Sequence, residues 1–225
     1  MKHPKITVVG LGPGRFGLIT LESWQTMQAA EHLVLRTRIH PTVAEIEKRG
    51  LTFSSYDGFY EEAPDFETLY RHIAEDLLRR ATEQGDLVYA VPGSPLVAER
   101  TVVLLRELAK ETDTAVDILP GMSFVEVMYT RLCIDPIEGL TILDAEDVST
   151  LKERPAQSLV ITQVYDPIIA SDTKLMLMEF YPDEYEVTYI HNLALPDESI
   201  RKIPLYELDR QKDVDHLTSL FVPAQ

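Results

Sequence analysis

The chain has 225 residues, 45% of them hydrophobic and 26% charged, which is enough for one large domain or for two small lobes with a core each. Its formal net charge of −16 repels phosphate backbones and anionic lipid, which argues against nucleic acid or membrane as partners. No apolar run approaches the roughly 18–20 residues of a membrane span. Cys133 is the only cysteine, so an internal disulfide is excluded, and no small-residue cleavage site follows Met1-Lys2-His3-Pro4-Lys5; the reading is a cytoplasmic protein.

The first predicted strand, Ile6-Thr7-Val8-Val9, runs into Gly10-Leu11-Gly12-Pro13-Gly14 and then a helix from near Thr20 to about Ala30. A short strand over His32–Leu35 and a helix over residues 42–49 follow. The stretch Asp57–Asp65, rich in aromatic and acidic residues, reads as a loop. Helical spacing of Leu69, Ile73, Leu77 and Leu78 then predicts a helix over Phe66–Gln84. A second strand–loop–helix unit comprises Asp86–Val91, Pro92-Gly93-Ser94-Pro95 and a helix from about Val97 to Lys110. The third comprises Ala115–Leu119, Pro120-Gly121-Met122-Ser123 and a helix over Phe124–Leu132. Near-continuous apolar strands alternating with helices indicate a parallel sheet buried on both faces.

After Asp135-Pro136 the pattern changes. Strands are predicted at 140–143, 158–164, 185–191 and 218–222 with one helix over 167–180, and hairpin-like spacing in 181–209 suggests a mixed sheet. The expected fold class is α/β in two lobes, a parallel-sheet lobe over residues 1–115 and a mixed-sheet lobe over 116–225. The boundary falls near 113–120 or shortly after 135.

In a parallel sheet the loops after the strands lie on one rim, where open α/β sheets bind ligands. Glycine there lets backbone approach a ligand closely, and the neighbouring proline keeps each loop rigid. Rigid loops presenting N–H and C=O groups suit a ligand with many hydrogen-bonding edges, such as a nucleoside. Each loop taken alone is also consistent with a plain strand-to-helix turn. Gly12-Pro13-Gly14-Arg15-Phe16-Gly17 satisfies the dinucleotide pattern G-x-G-x-x-G, but the next strand ends Leu35-Arg36-Thr37-Arg38 without the ribose-binding acid. Arginine there accommodates a 2′-phosphate, so an NADP-dependent oxidoreductase is an alternative, although Pro13 occupies the turn and two Pro-Gly loops are left without a role. No Walker lysine follows the loop.

These motifs together resemble the tetrapyrrole (corrin/porphyrin) methylases, a class of S-adenosylmethionine-dependent methyltransferases. The resemblance runs through Gly10–Gly14 with Leu18-Ile19-Thr20, Val91-Pro92-Gly93-Ser94-Pro95, Pro120-Gly121-Met122-Ser123-Phe124, Asp197-Glu198-Ser199-Ile200 and Leu205-Tyr206-Glu207-Leu208, in order and over nearly the whole chain. Leu96-Val97-Ala98-Glu99 is similar to the branch fused to a C-terminal MazG-type nucleotide pyrophosphohydrolase. The chain ends at Pro223-Ala224-Gln225 without pyrophosphohydrolase sequence, which is compatible with a domain excised from such a fusion and equally with a stand-alone one.

The resemblance implies two α/β lobes with the cofactor in a cleft between them, and a homodimer acting on a small-molecule substrate. It implies that Gly93, Ser94, Pro95, Leu96 and Val97 hold the methionine part of S-adenosylmethionine, with Ser123 and Phe124 flanking it. It implies that Gln163, Val164 and Tyr165 reach the adenosine, that Asn192, Leu193 and Pro204 close over the adenine, and that Pro13 lies beneath the acceptor. Two positions depart from the family: Arg15 stands where an aspartate is usual, and Ser94 replaces the aspartate of Gly-Asp-Pro. Arg15 is the sole catalytic candidate, by recognising a carboxylate-bearing acceptor. The same departures fit a domain that binds cofactor without turning it over and regulates a linked pyrophosphohydrolase.

Methyl transfer needs positioning more than general-base chemistry. The six histidines, at 3, 32, 40, 72, 191 and 216, have no metal-ligand spacing, so no metal is expected; they read as surface or structural, His191 beside the implied adenine site excepted. Glu61, Glu62 and Asp65 read as a solvated acidic loop. Tyr56, Phe59 and Tyr60 read as an acceptor lid or as packing.

Overall fold

The computed structural model describes residues 3–224, with the side chain of Glu62 outside that description. Two compact units divide the chain, Met1–Val127 and Met128–Gln225.

In the first unit, β1 (Lys5–Gly10), α1 (Leu21–Ala29), β2 (Leu33–Leu35), α2 (Val43–Lys48), β3 (Ser54–Ser55), α3 (Phe59–Glu62), α4 (Phe66–Gln84), β4 (Leu87–Val91), α5 (Arg100–Ala109) and β5 (Ala115–Ile118) follow in order. The strands form one parallel sheet ordered β3-β2-β4-β1-β5. Alternating strand residues supply two cores. Ile6, Val8, Leu87 and Tyr89 pack with Leu69, Ile73 and Leu77 of α4 and Val102 and Leu105 of α5. Val9, Leu33, Leu35, Val88 and Ala90 pack with Met27 of α1 and Val43 and Ile46 of α2. Connections running toward β3 thus place their helices on one face and those returning toward β5 on the other, as right-handed crossovers require.

The bounds of α4 follow from its ends. The Asp65 carboxylate accepts from the Thr68 N–H at 2.7 Å, and Gly85 stops the helix at φ +92°. Three expectations are corrected. The stretch 57–65 contains α3 instead of being all loop. The helix expected from Val97 begins at Arg100, because Ala98 takes φ +53° and the Glu99 side chain caps the Thr101 N–H. Residues 116–118, assigned to the second lobe, belong to β5, which hydrogen-bonds to β1, and the division falls within α6 (Phe124–Leu132).

The second unit continues with β6 (Leu140–Asp144), β7 (Ser158–Thr162), α7 (Pro167–Met178), β8 (Glu186–His191), β9 (Ser199–Pro204) and β10 (Thr218–Val222). Its sheet is mixed, ordered β6-β7-β10-β8-β9, with β6 and β7 parallel and the remaining pairs antiparallel. Leu159, Ile161, Val187, Tyr189 and Leu220 pack with Ala170 and Leu177 of α7. The Leu205-Tyr206-Glu207-Leu208 motif is a 3-10 turn whose two leucines enter this core. The observed architecture is therefore the expected α/β class, a parallel five-stranded sheet plus a mixed one.

Leu77 and Leu177 are fully buried, one in each unit. Leu→Ala at either position is expected to lower the unfolding free energy by about 2–5 kcal/mol, read from urea denaturation.

Candidate functional site

In the first sheet β1 and β4 are neighbours, yet the chain leaves β1 toward β2 and leaves β4 toward β5. Oppositely directed connections from adjacent parallel strands open a crevice at their carboxyl ends. The loops at that point are the first two Pro-Gly loops, and they join each other. Gly12 N–H donates to the Gly93 carbonyl (3.2 Å), Gly93 N–H donates to the Gly12 carbonyl (2.9 Å), and Leu11 N–H donates to the Val91 carbonyl (2.8 Å). Glycine is required by space. A Cβ on Gly10 would lie 2.3 Å from the Gly93 carbonyl oxygen, and one on Gly121 would lie 2.8 Å from the Pro95 ring and 3.2 Å from Ser94 Cα. The three loops therefore meet backbone to backbone. Gly93 differs: at φ +66° it has no atom within 4 Å of a Cβ position, so the junction is open on that side.

Around this opening Ser94 is half-buried, Pro95 is buried, Leu96 is 59% exposed and Val97 is half-buried. Pro13 is half-buried within the first loop. Arg15 is exposed, and among the described residues its side chain has no ion-pair partner. Ser123 is buried and its hydroxyl is already committed. It bonds the Glu126 carboxylate and accepts from the Val125 N–H at 3.1 Å, a capping box that starts α6 next to the half-buried Phe124. The structure thus brings Pro13, Gly93, Ser94 and Pro95 onto one rim, with Ser123 and Phe124 following the third loop.

The second unit has its own rim. Because β7 and β8 both run antiparallel to β10, their carboxyl ends share one edge of the sheet. Gln163 follows β7 at φ +59°, Asn192 follows β8 at φ +54°, and Ala194 has φ +67°. Left-handed backbone at non-glycine residues costs on the order of 1 kcal/mol each and persists only where the surroundings impose it. At Asn192 and Ala194 acids brace it. Asn192 Nδ2 donates to Asp197 at 2.6 Å, and Glu198 accepts from the Ala194 N–H at 2.7 Å and from Arg131 Nε at 2.7 Å. The Asp197-Glu198 motif is thereby explained as a brace. Gln163 and Tyr165 are exposed, whereas Val164 is fully buried in the core, so its side chain faces away from solvent. Leu193 is 9% exposed. Pro204 does not join them: it pairs with Glu186 at the other end of β8, on the opposite edge of the sheet.

Several other sequence candidates prove structural. Tyr56 is fully buried, gives its hydroxyl to Asp76 (2.9 Å) and packs edge-on against Phe59. Tyr60 is 37% exposed and accepts from Arg36 Nε. Asp65 serves as the α4 cap, Glu61 is exposed, and the Glu62 side chain lies outside the described residues. His191 is buried with its ring 3.1 Å from Asp215 and 3.6 Å from Asp213, closing the base of the Asn192 turn. The arginines an NADP reading requires are engaged, Arg36 with Glu99 at 2.6 Å and Arg38 with Glu47.

His40, read from the sequence as surface or structural, is structural. Its Nδ1 lies 2.7 Å from the Thr42 hydroxyl. Burial lowers its pKa from 6.5 to about 4, outweighing a hydrogen bond with the Gly12 backbone that acts the other way. A neutral imidazole therefore rests against the first loop, a placement for which the spacing of histidines gives no signal.

With this geometry in place, the chain belongs to the tetrapyrrole (corrin/porphyrin) methylase family, whose family model matches residues 5–209. Protein YabN of Bacillus subtilis (strain 168), described as uncharacterized, is 42% identical over 219 residues, covering 97% of this chain and 45% of that protein. The methyltransferase/ribosomally synthesized cyclic peptide lentinulin A precursor ledMA of Lentinula edodes is 26% identical over 155 residues, covering 68% of this chain and 37% of that protein. The chain thus spans less than half the length of either relative. Among solved structures, the uroporphyrin-III-C-methyltransferase from Thermus thermophilus has the same fold, with a TM-score of 0.76 at 18% identity over 99% of this chain and 93% of that one. A structure of the Thermus enzyme complexed with S-adenyl homocysteine gives a TM-score of 0.72 at 17% identity over 97% and 92% of the two chains.

Gly10→Ala is expected to cost about 2 kcal/mol or more, because carbonyl backbone occupies the Cβ position. Gly93→Ala costs about 1 kcal/mol from positive φ alone; urea unfolding of both variants checks the order. His40 gives a pH signature. The unfolded chain takes up its proton near pH 6.5 and the folded one only near pH 4, so stability falls as pH drops through that window, by about 3 kcal/mol in all. His40→Gln is expected to flatten this part of the stability–pH curve.

Proposed function

We propose that this chain is an S-adenosylmethionine-dependent methyltransferase domain acting on a small acceptor, a tetrapyrrole being the first class to test. The observation that carries the reading is the three-loop junction at the switch point, closed by Gly10 and Gly121 and open over Gly93, in a chain of this family. An open glycine face between rigid prolines suits a ligand held largely by backbone, and exposed Leu96 with half-buried Val97 gives it an apolar wall. In this reading Gly93 to Val97, Ser123 and Phe124 take the methionine part, and Gln163, Tyr165, Asn192 and Leu193 take the adenosine. Val164 supports its neighbours from the core.

Bound there, S-adenosylmethionine supplies a methyl group already activated by the sulfonium charge. The protein's part is to hold nucleophile, carbon and sulfur in line, and no proton-abstracting residue is needed to explain it. The ordered backbone of the junction serves that purpose, since its carbonyls and N–H groups are fixed before binding. Arg15, exposed at the end of the first loop, is placed in this reading to take a carboxylate of the acceptor.

A second reading rests on Arg15 and Ser94, which remove both loop acids typical of the family, and on the share of YabN that the chain covers. In it the domain binds the cofactor without turnover and regulates a nucleotide pyrophosphohydrolase in the rest of a longer chain.

Calorimetric titration is expected to give saturable one-to-one binding of S-adenosylmethionine and S-adenosylhomocysteine, and none of NADPH. Val97→Asp, which puts a charge on the proposed wall, is expected to weaken both adenosyl ligands by about tenfold or more. Transfer of labelled methyl to a tetrapyrrole or peptide acceptor separates the enzyme from the sensor. Absence of binding by either adenosyl compound would refute both readings.

A further inference from the structure

The loop from Pro92 to Glu99 is fastened at two places. Its near end is fixed by the Gly12–Gly93 pair and by buried Pro95, whose ring packs against Gly10 and Gly121. Its far end is fixed by Glu99, a residue only 5% exposed. Between the two lie Leu96, Val97 and Ala98, with a 3.2 Å backbone bond from the Val97 N–H to the Ser94 carbonyl and φ +53° at Ala98. The position of this span therefore depends on where Glu99 is held.

Glu99 has two oxygens with different tasks. Oε1 accepts from the Thr101 N–H at 3.2 Å and caps α5. Oε2 accepts from Arg36 Nη1 at 2.6 Å. A serine or aspartate would cap the helix as well with a shorter side chain, so the reach to Arg36 is additional to capping. Arg36 comes from the end of β2, the strand beside β4, where its N–H is bonded to the Ala90 carbonyl at 2.9 Å. Its guanidinium lies over the Tyr70 ring, 5.0 Å from the centroid, and donates from Nε to the Tyr60 hydroxyl at 3.1 Å. Burial opposes the Arg36 charge, but Glu99 and the surrounding tyrosines more than offset it, and its pKa is raised. A buried ion pair is a poor device for stability alone, since desolvation consumes most of the Coulombic gain. What it provides is one discrete geometry, and this one is attached to the loop.

We propose that Arg36 is a positioning residue for the cofactor: through Glu99 it sets Leu96 and Val97 against the ligand, and through Tyr60 it ties α3 to the same point. This rests on the reading of residues 93–97 as the methionine-binding loop. The partner is thus the cofactor already proposed, and the new element is the brace behind its loop.

The test is calorimetric titration with S-adenosylhomocysteine of the wild-type chain, Arg36→Met, Arg36→Lys, Glu99→Gln and, as an exposed-charge control, Lys202→Gln. Urea unfolding and amide exchange at residues 96–98 accompany each titration. Arg36→Met is expected to weaken binding by about tenfold or more and to speed exchange at 96–98, with Arg36→Lys recovering part of the affinity. Glu99→Gln keeps the cap acceptor and the side-chain length, so it carries the same test if Arg36→Met does not fold. Arg36→Met or Glu99→Gln folded and binding with wild-type affinity would overturn the proposal while leaving the cofactor reading intact. A wild-type chain that binds no S-adenosylhomocysteine overturns the cofactor reading and the brace with it.

Discussion

At the end of β1 the carbonyl oxygen of Gly93 stands 2.3 Å from where a Cβ of residue 10 would be, and Gly12 and Gly93 exchange both of their backbone hydrogen bonds. Loops that follow two adjacent parallel strands normally diverge into their helices. These are bonded to each other and packed beneath the third by Pro95 and Gly121. Three backbone hydrogen bonds, Leu11 to Val91 and the reciprocal Gly12–Gly93 pair, therefore fix the mouth of the sheet. The open side at Gly93 is the remaining freedom of the junction, and the further features of the first unit's rim are arranged about it.

Fixing the glycines leaves the outer parts of the loops undetermined, and there the chain uses charge. Glu99 and Arg36 hold the far end of the second loop. In the second unit Asp197, Glu198 and Arg131 hold the left-handed turn at Asn192 and Ala194, and Asp213 and Asp215 flank His191 beneath it. Several acids of this strongly acidic chain therefore act as internal struts that pin backbone conformations no side-chain packing would hold. The −16 net charge is in this respect partly an architectural quantity.

The family and the departures from it now have separate physical meanings. Membership rests on the family-model match over residues 5–209, and the two sheets share the fold of solved structures. Arg15 is exposed without an ion-pair partner among the described residues, and Ser94 sits between a glycine bonded to Gly12 and a buried proline.

The sequence by itself determined most of the strands and helices in their order, because apolar spacing reports local burial; the short β3 and α3, and β9 with its polar outer positions, escaped it. The α4 and α6 bounds came out at Phe66–Gln84 and Phe124–Leu132 since their caps, Asp65, Gly85 and Ser123, are local in the chain. It also determined that three Pro-Gly loops lie on one rim, since parallel strands leave no other place for them. Only the tertiary structure decided that these loops bond to one another, that Arg36 is spent on Glu99, and that Val164 and Tyr56 belong to the core. The same holds for Pro204, which lies across the sheet from Asn192 because β9 runs antiparallel to β8. Contacts such as Gly10 with Gly93, 83 residues apart, leave no periodic trace in sequence. Positive φ at Ala98, Gln163, Asn192 and Ala194 occurs at non-glycine residues, where the sequence carries no glycine to mark it.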